Sequence, residues 1–258
     1  MMAIAAAVML AEGSNMPLVE VELDGVRSTL ILDTGASHTT FDLGFVTNAF
    51  PSAQLDEVTL LGRTNVRGAI LPRCLNAQSF KVGEMNFAEP SVMVLPLGQL
   101  SEAVGRRVDG ILGMNHLLER PFMLSLADRR IVWDPSEADR TNFVKAATQP
   151  QGNRQALLAT LPDGGKLALL IDSGSSFTFI EERRWRWTEK KAGFLAADVN
   201  GKAKESPPWG ERGKISCGIE LELEPIMAPH PGLNQIGAQT LLQADVFFNK
   251  GDVWMRRR

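Results

Sequence analysis

One pattern occurs twice in this chain, and it narrows the possible folds more than any other feature. Near the start, Val19, Val21 and Leu23 alternate with Glu20 and Glu22, the two-residue period of a strand with one wet face. Asp24-Gly25 then offers the two-residue turn of a tight hairpin. The returning segment, Ser28 to Leu32, ends in an apolar run and delivers Asp33-Thr34-Gly35-Ala36-Ser37. From Ala156 the same order recurs. Leu157, Leu158 and Leu161 precede a turn at Pro162-Asp163-Gly164-Gly165, and Leu167 to Ile171 delivers Asp172-Ser173-Gly174-Ser175-Ser176. Each copy also closes alike. Asp109-Gly110-Ile111-Leu112-Gly113 leads into Met114 to Leu118, and Asn234-Gln235-Ile236-Gly237 leads into Ala238 to Leu242. A strand pair follows each, Phe122 to Asp134 turned at Asp128-Arg129, and Ala244 to Met255 turned at Asn249-Lys250-Gly251.

Two copies at this distance predict two pseudo-symmetric lobes of one fold, not a solenoid. The expected boundaries are a first lobe over residues 1–140, a polar linker over 141–154 and a second lobe over 155–258. A length of 258 residues lies between one large domain and two small ones, and the repeat favours two lobes. With 27 Lys and Arg against 30 Asp and Glu, the net charge of −3 gives no basic field for a nucleic-acid partner. Two cysteines, Cys74 and Cys217, are too few for a disulfide framework and read as small buried hydrophobes. His38, His116 and His230 show no metal-ligand spacing, so no metal is expected. No nucleotide-binding glycine motif occurs, so no cofactor is expected either. The eleven apolar residues Met1 to Ala11 are too few to span a membrane. They lack the basic flank and the small-residue cleavage site of a complete signal peptide, and they read as a first strand, Ala7 to Ala11. The compartment stays unassigned.

The two Asp-Thr/Ser-Gly motifs, each after an apolar strand and each answered by an apolar-apolar-Gly segment, resemble the aspartic protease superfamily. Each half resembles a retropepsin-like domain, and the pair is laid out like a small pepsin. The resemblance implies an all-β fold of two β-barrel lobes with a central cleft, and hydrolysis of peptide bonds by an endopeptidase. It implies Asp33 and Asp172 as the catalytic pair, with Thr34, Gly35, Ser37, Ser173, Gly174 and Ser175 supporting the active loops. Two carboxylates in contact cannot both ionise, so they share one proton and supply a base and an acid together. The hydroxyls of Thr34 and Ser173 are expected to bond across to the opposite lobe, as the family's second position does. Gly35 and Gly174 are expected to let the chain turn sharply. A peptide or protein substrate would lie extended in the cleft, with the chain acting as a monomer. The alternative is a catalytically silent peptide-binding protein on the same scaffold.

The copies are not equal. Ser175 is placed to donate to the Asp172 carboxylate while Ala36 has nothing to give Asp33, which predicts a pH optimum less acidic than that of pepsin. Glu57 to Pro72 is the expected flap, and Lys204 to Gly213, with Pro207-Pro208-Trp209, an expected cleft rim in the second lobe. The chain has no tyrosine, so it departs from the pepsin pattern, whose flap carries one. Glu181 to Ala192, with Arg183-Arg184-Trp185-Arg186-Trp187, reads as an amphipathic helix with a solvated basic face. Arg256-Arg257-Arg258 reads as a solvated tail, and Gly113 and Gly237 as packing residues beneath the active loops.

Overall fold

The structure is a computed structural model that describes residues 6–11, 16–58, 72–88, 90–190, 197–198, 201–202, 207–229 and 231–258. In the first lobe, strand Leu18–Leu23 turns through Asp24 (φ 45°) and Gly25 (φ 82°) into Val26–Leu32. Both turn residues take the left-handed conformation that Asp-Gly supports and that suits the twist of the hairpin. Val26–Leu32 then receives Gly110–Leu112 as a parallel partner on its other side, with Leu112 opposite Leu32. The second lobe repeats this arrangement. Arg154–Thr160 and Lys166–Ile171 form the hairpin, and Gln235–Ile236 runs parallel to Lys166–Ile171. In Leu18–Leu23 the alternation buries Val19, Val21 and Leu23 in the main core and leaves Glu20 exposed on the other face, where Leu18 packs into a second, smaller cluster with Ile31 and Leu95.

A six-stranded sheet joins the lobes, ordered Ala6–Met9, Arg130–Trp133, Phe122–Ser125, Ala244–Asn249, Asp252–Arg257 and Val144–Lys145. Its two central strands come one from each half, with Phe122 stacked on Phe248 at 4.6 Å. Nine-stranded and ten-stranded sheets curl around the apolar core of the two lobes. The fold is all-β and two-lobed. Among the described residues no helix is long and apolar enough to cross a membrane.

Several expectations need correction. The basic segment is not a helix from Glu181. A short 3-10 turn, Glu182–Arg184, leads into strand Trp187–Lys190, paired with Pro208–Gly210. The cause is the tryptophans: the Trp185 ring lies where side chains on Gly210 and Gly213 would have to go, and its Nε1 donates to the Glu211 carbonyl at 2.7 Å. Trp209 is buried and edge-on to Phe177, so it is a core residue of that strand pair and not a cleft rim. Residues 204–206 of the same expected rim lie outside the described residues. The C-terminal arginines are not a solvated tail, because Arg256 and Arg258 both pair with Asp245, which is 1% exposed. Arg258 also bonds to Asp128 and Ser125 of the first half. The segment expected as linker contributes two strands, Val144–Lys145 to the joining sheet and Thr148–Gln151 alongside Arg154–Thr160. The expected first strand is Ala6–Met9, paired with Arg130–Trp133. Cys217 is buried, its thiol pushed up to about 11 by that burial, but Cys74 is only half-buried and its Sγ lies 2.6 Å from Ser91 Oγ.

Candidate active site

The two Asp-Thr/Ser-Gly loops meet where the lobes join. Each begins at the end of a buried strand and is held there by the parallel neighbour: Asp33 donates its N–H to Leu112 O and Asp172 to Ile236 O, both at 3.0 Å. Thr34 and Ser173 then cross-link the loops through four buried hydrogen bonds. Thr34 Oγ1 donates to Ile171 O (2.8 Å) and accepts from Ser173 N–H (3.0 Å). Ser173 Oγ donates to Leu32 O (2.7 Å) and accepts from Thr34 N–H (3.0 Å). Each hydroxyl is both donor and acceptor, so four polar backbone groups that burial would leave stranded are satisfied. This network carries the expected crossing bonds and sets the separation of the aspartates.

Gly35 and Gly174 are required for a different reason from the sharp turn expected of them. A Cβ on Gly35 would sit 2.4 Å from Cγ of Asp172, and one on Gly174 would sit 2.2 Å from Cγ of Asp33. Each glycine thus makes room for the other lobe's carboxyl. The two carboxyls are hydrogen-bonded to each other and half-buried. Asp33 Oδ1 accepts from the N–H groups of Gly35 (2.7 Å) and Ala36 (3.0 Å).

The electrostatics differ between the two. Burial raises the Asp33 pKa, opposed by the hydrogen bond from Asp172, by the two amides and by the positive charge of Arg154. Asp172 is held well above the ordinary carboxylate value by burial and by its negative neighbour Asp33. The amides of Gly174 and Ser175 also favour its anion, yet its Oδ1 is buried with no partner in hydrogen-bonding position. The Ser175 hydroxyl does not supply one, contrary to expectation. It donates to Phe177 O at 2.9 Å instead. Arg154 is the smallest of the influences on Asp33, but it is a cation that acts on Asp33 and not on Asp172, whereas the Ser175 hydroxyl gives neither carboxyl a bond.

Beneath the loops the repeat extends to individual bonds. Met114 N–H reaches Ala36 O as Ala238 N–H reaches Ser175 O, and Gly113 N–H reaches Thr39 Oγ1 as Gly237 N–H reaches Thr178 Oγ1. A Cβ on Gly113 would strike the His38 carbonyl at 2.5 Å, and one on Gly237 the Phe177 carbonyl at 2.2 Å, so both glycines pack against loop backbone. Thr39 Oγ1 then meets His116 Nδ1 at 2.9 Å where Thr178 meets Thr240. Ser37 turns its hydroxyl to His38 Nδ1 and its carbonyl to Asn115 N–H and Asn153 Nδ2, away from the carboxyl pair.

Asn153 and Arg154 escaped sequence reasoning because they sit at the end of the expected linker. The register of the repeat was the signal that could have found them. Of the expected flap, Glu57 to Pro72, the ends come together, Val58 donating its N–H to Pro72 O at 3.0 Å and Glu57 pairing with Arg73, while residues 59–71 lie outside the described residues. Among the described residues, no group of three or more His, Cys, Asp or Glu is arranged to hold a metal ion.

Residues 19–116 match the family model described as aspartyl protease. That span contains the Asp33 loop, its parallel strand and the helix beneath it. No curated protein matches the chain.

Proposed function

We propose that the chain, whose residues 19–116 match the aspartyl protease family model, is an endopeptidase whose two lobes, residues 1–140 and 155–258, each contribute one catalytic carboxyl, Asp33 and Asp172. The observation that carries this reading is the contact between the two carboxyls, each seated against the other lobe's glycine. In the singly protonated pair, the ionised member takes a proton from a water held between them as that water's oxygen attacks the scissile carbonyl carbon. The protonated member gives its proton to the carbonyl oxygen. As the diol collapses, the carboxyl that took the water's proton gives it to the amide nitrogen, a diol hydroxyl returns its proton to the other carboxylate, and the C–N bond breaks to leave a carboxylic acid, an amine and the singly protonated pair. No covalent intermediate, metal or cofactor enters these steps. The partnerless Asp172 Oδ1 is a buried polar atom that a water or a substrate oxygen would satisfy.

An extended peptide suits a site lying between two curled sheets, since such a substrate pairs its backbone with strand edges. Because one chain supplies both carboxyls, a monomer suffices, and sedimentation at the monomer mass is the expected outcome. Both members of the pair are raised from the ordinary carboxylate value. The singly protonated state therefore spans a window shifted upward, and activity is expected to peak above the range of a strongly acid enzyme. Cleavage of a random peptide mixture across pH, with and without a transition-state-analogue inhibitor of aspartic proteases, tests the reading. Inhibitor-sensitive cleavage with a bell-shaped pH profile supports it. Peptide binding without any cleavage would replace it with a silent binding protein.

A further inference from the structure

The repeat aligns the residues that precede each hairpin. Leu18 pairs with Ile31, two residues before Asp33, and Ala156 pairs with Leu170, two residues before Asp172. Stepping back two residues from Leu18 and from Ala156 makes Met16 and Arg154 equivalent. Each reaches the opposite lobe's active loop. Met16 Sδ receives a hydrogen bond from Ser176 Oγ at 3.0 Å, whereas Arg154 Nη1 donates to Gly35 O at 3.1 Å. One loop is thus touched by a thioether and the other by a guanidinium, although the crossing hydroxyls and the glycine supports of the two loops match bond for bond.

We infer that Arg154 is a positioning residue that polarises the carboxyl pair, keeping the negative charge on Asp33 and the shared proton on Asp172. Three observations support it. The guanidinium is held by two backbone carbonyls, Nη1 donating to Gly35 O and Nε to Gln151 O at 3.3 Å, which fixes where its charge lies. Asn153, the preceding residue, holds the same loop through Ser37 O at 2.8 Å, so strand and loop move together. Arg154 is half-buried, where a charge acts through less screening solvent than at the surface. The titratable and charged groups facing Asp33 among the described residues are Asp172 across the lobe boundary and Arg154 from the second hairpin. On its own side are His38 on the loop and His116 below it, bonded to Ser37 and Thr39. Arg154 is the cation among them whose charge is permanent. The assignment makes Asp33 the general base and Asp172 the acid that protonates the carbonyl oxygen.

The inference rests on the proposed catalytic pair, so its test reads the carboxyls directly as well as the reaction. Carbon-13 NMR of aspartate-labelled protein follows both ionisations in wild type, Arg154→Gln and Arg154→Lys, alongside the pH profile of peptide cleavage. Removing a cation destabilises the nearby anion, so Arg154→Gln should raise the first ionisation, and with it the acid limb of the profile, by about one pH unit. Arg154→Lys should restore most of that shift, which a purely structural role would not require. An unchanged first ionisation in folded Arg154→Gln overturns the inference and leaves the catalytic reading intact. Cleavage that survives Asp33→Asn overturns the catalytic reading instead. If Arg154→Gln does not fold, Met16→Arg tests the same idea from the other side. Met16 borders a cavity of about 440 Å³ together with Ser176 and Phe177, which gives the longer side chain room. A cation there should lower the second ionisation, that of Asp172, and no change would contradict the inference.

Discussion

Alanine at Gly35 or Gly174 would drive a methyl group into the opposite aspartate, because nothing but hydrogen fits between that backbone and the facing carboxyl. The expected result is a loss of cleavage of at least about 100-fold, since small displacements of reacting groups cost rate of that order. Steady-state kinetics on Gly35→Ala and Gly174→Ala check it. Stability should fall as well, by about 1 to 3 kcal/mol, as overpacked sites usually do. Thr34→Val is the complementary change. It keeps the side-chain shape but strands Ile171 O and Ser173 N–H in a buried place, for about 2 to 4 kcal/mol in chemical denaturation. The aspartates, the glycines and the crossing hydroxyls were all legible as residue types. Their reasons were not, because a glycine needed for the approach of a distant side chain looks the same in sequence as one needed for a turn. Arg154 shows the same limit, since its role depends on a carbonyl 119 residues away.

At the level of elements, strand Gly110–Leu112 and the helix Met114–Leu117 hold the first loop from below, and His116 is their pH-sensitive part. Thr39 Oγ1 accepts from Gly113 N–H and shares a hydrogen bond with His116 Nδ1, and the His116 ring packs edge-on to Phe80 and Phe87. Burial accordingly lowers the His116 pKa from 6.5 to about 4. The sign follows from proton binding. Between those values the unfolded chain takes up a proton that the folded chain refuses, so the contribution is complete above pH 6.5 and lost as pH falls toward 4. The loss is on the order of 2 to 3 kcal/mol. Denaturation of wild type and His116→Gln across that range measures it, and the variant should lose the corresponding part of the slope. The hairpins, their Asp24-Gly25 turn and the parallel closing strands were legible because alternation and turn chemistry are local. The Trp185 region was not. A helical charge pattern there is overridden by the Trp185 indole, which packs on Gly210 and Gly213 more than twenty residues later in the chain.

Across the whole molecule, the lobes are tied by the joining sheet and by an ion cluster at its C-terminal end. Buried Asp245 takes Arg256 and Arg258, and Arg258 reaches over to Asp128 of the first half. Arg258→Ala leaves Asp245 with one cation and unties Asp128. It should lower stability by about 1 to 3 kcal/mol, less than a fully buried pair because Arg258 stays partly solvated. Thermal unfolding would show it, together with a weaker coupling of the two lobes. Three consecutive arginines at the end of a sequence look like a solvated run, and only the alternation along Asp252–Arg257 hints that two of them share a face. The two-lobed plan itself was legible from the duplicated motif, while the joining sheet was not, since its strands come from both ends and the middle of the chain. The central claim is that one carboxyl from each lobe performs the cleavage. Its most direct test is peptide hydrolysis by Asp33→Asn and Asp172→Asn beside wild type, with folding checked by thermal unfolding. Either single change should abolish cleavage in a folded protein, and cleavage surviving in either variant would show that the two carboxyls do not act as a pair.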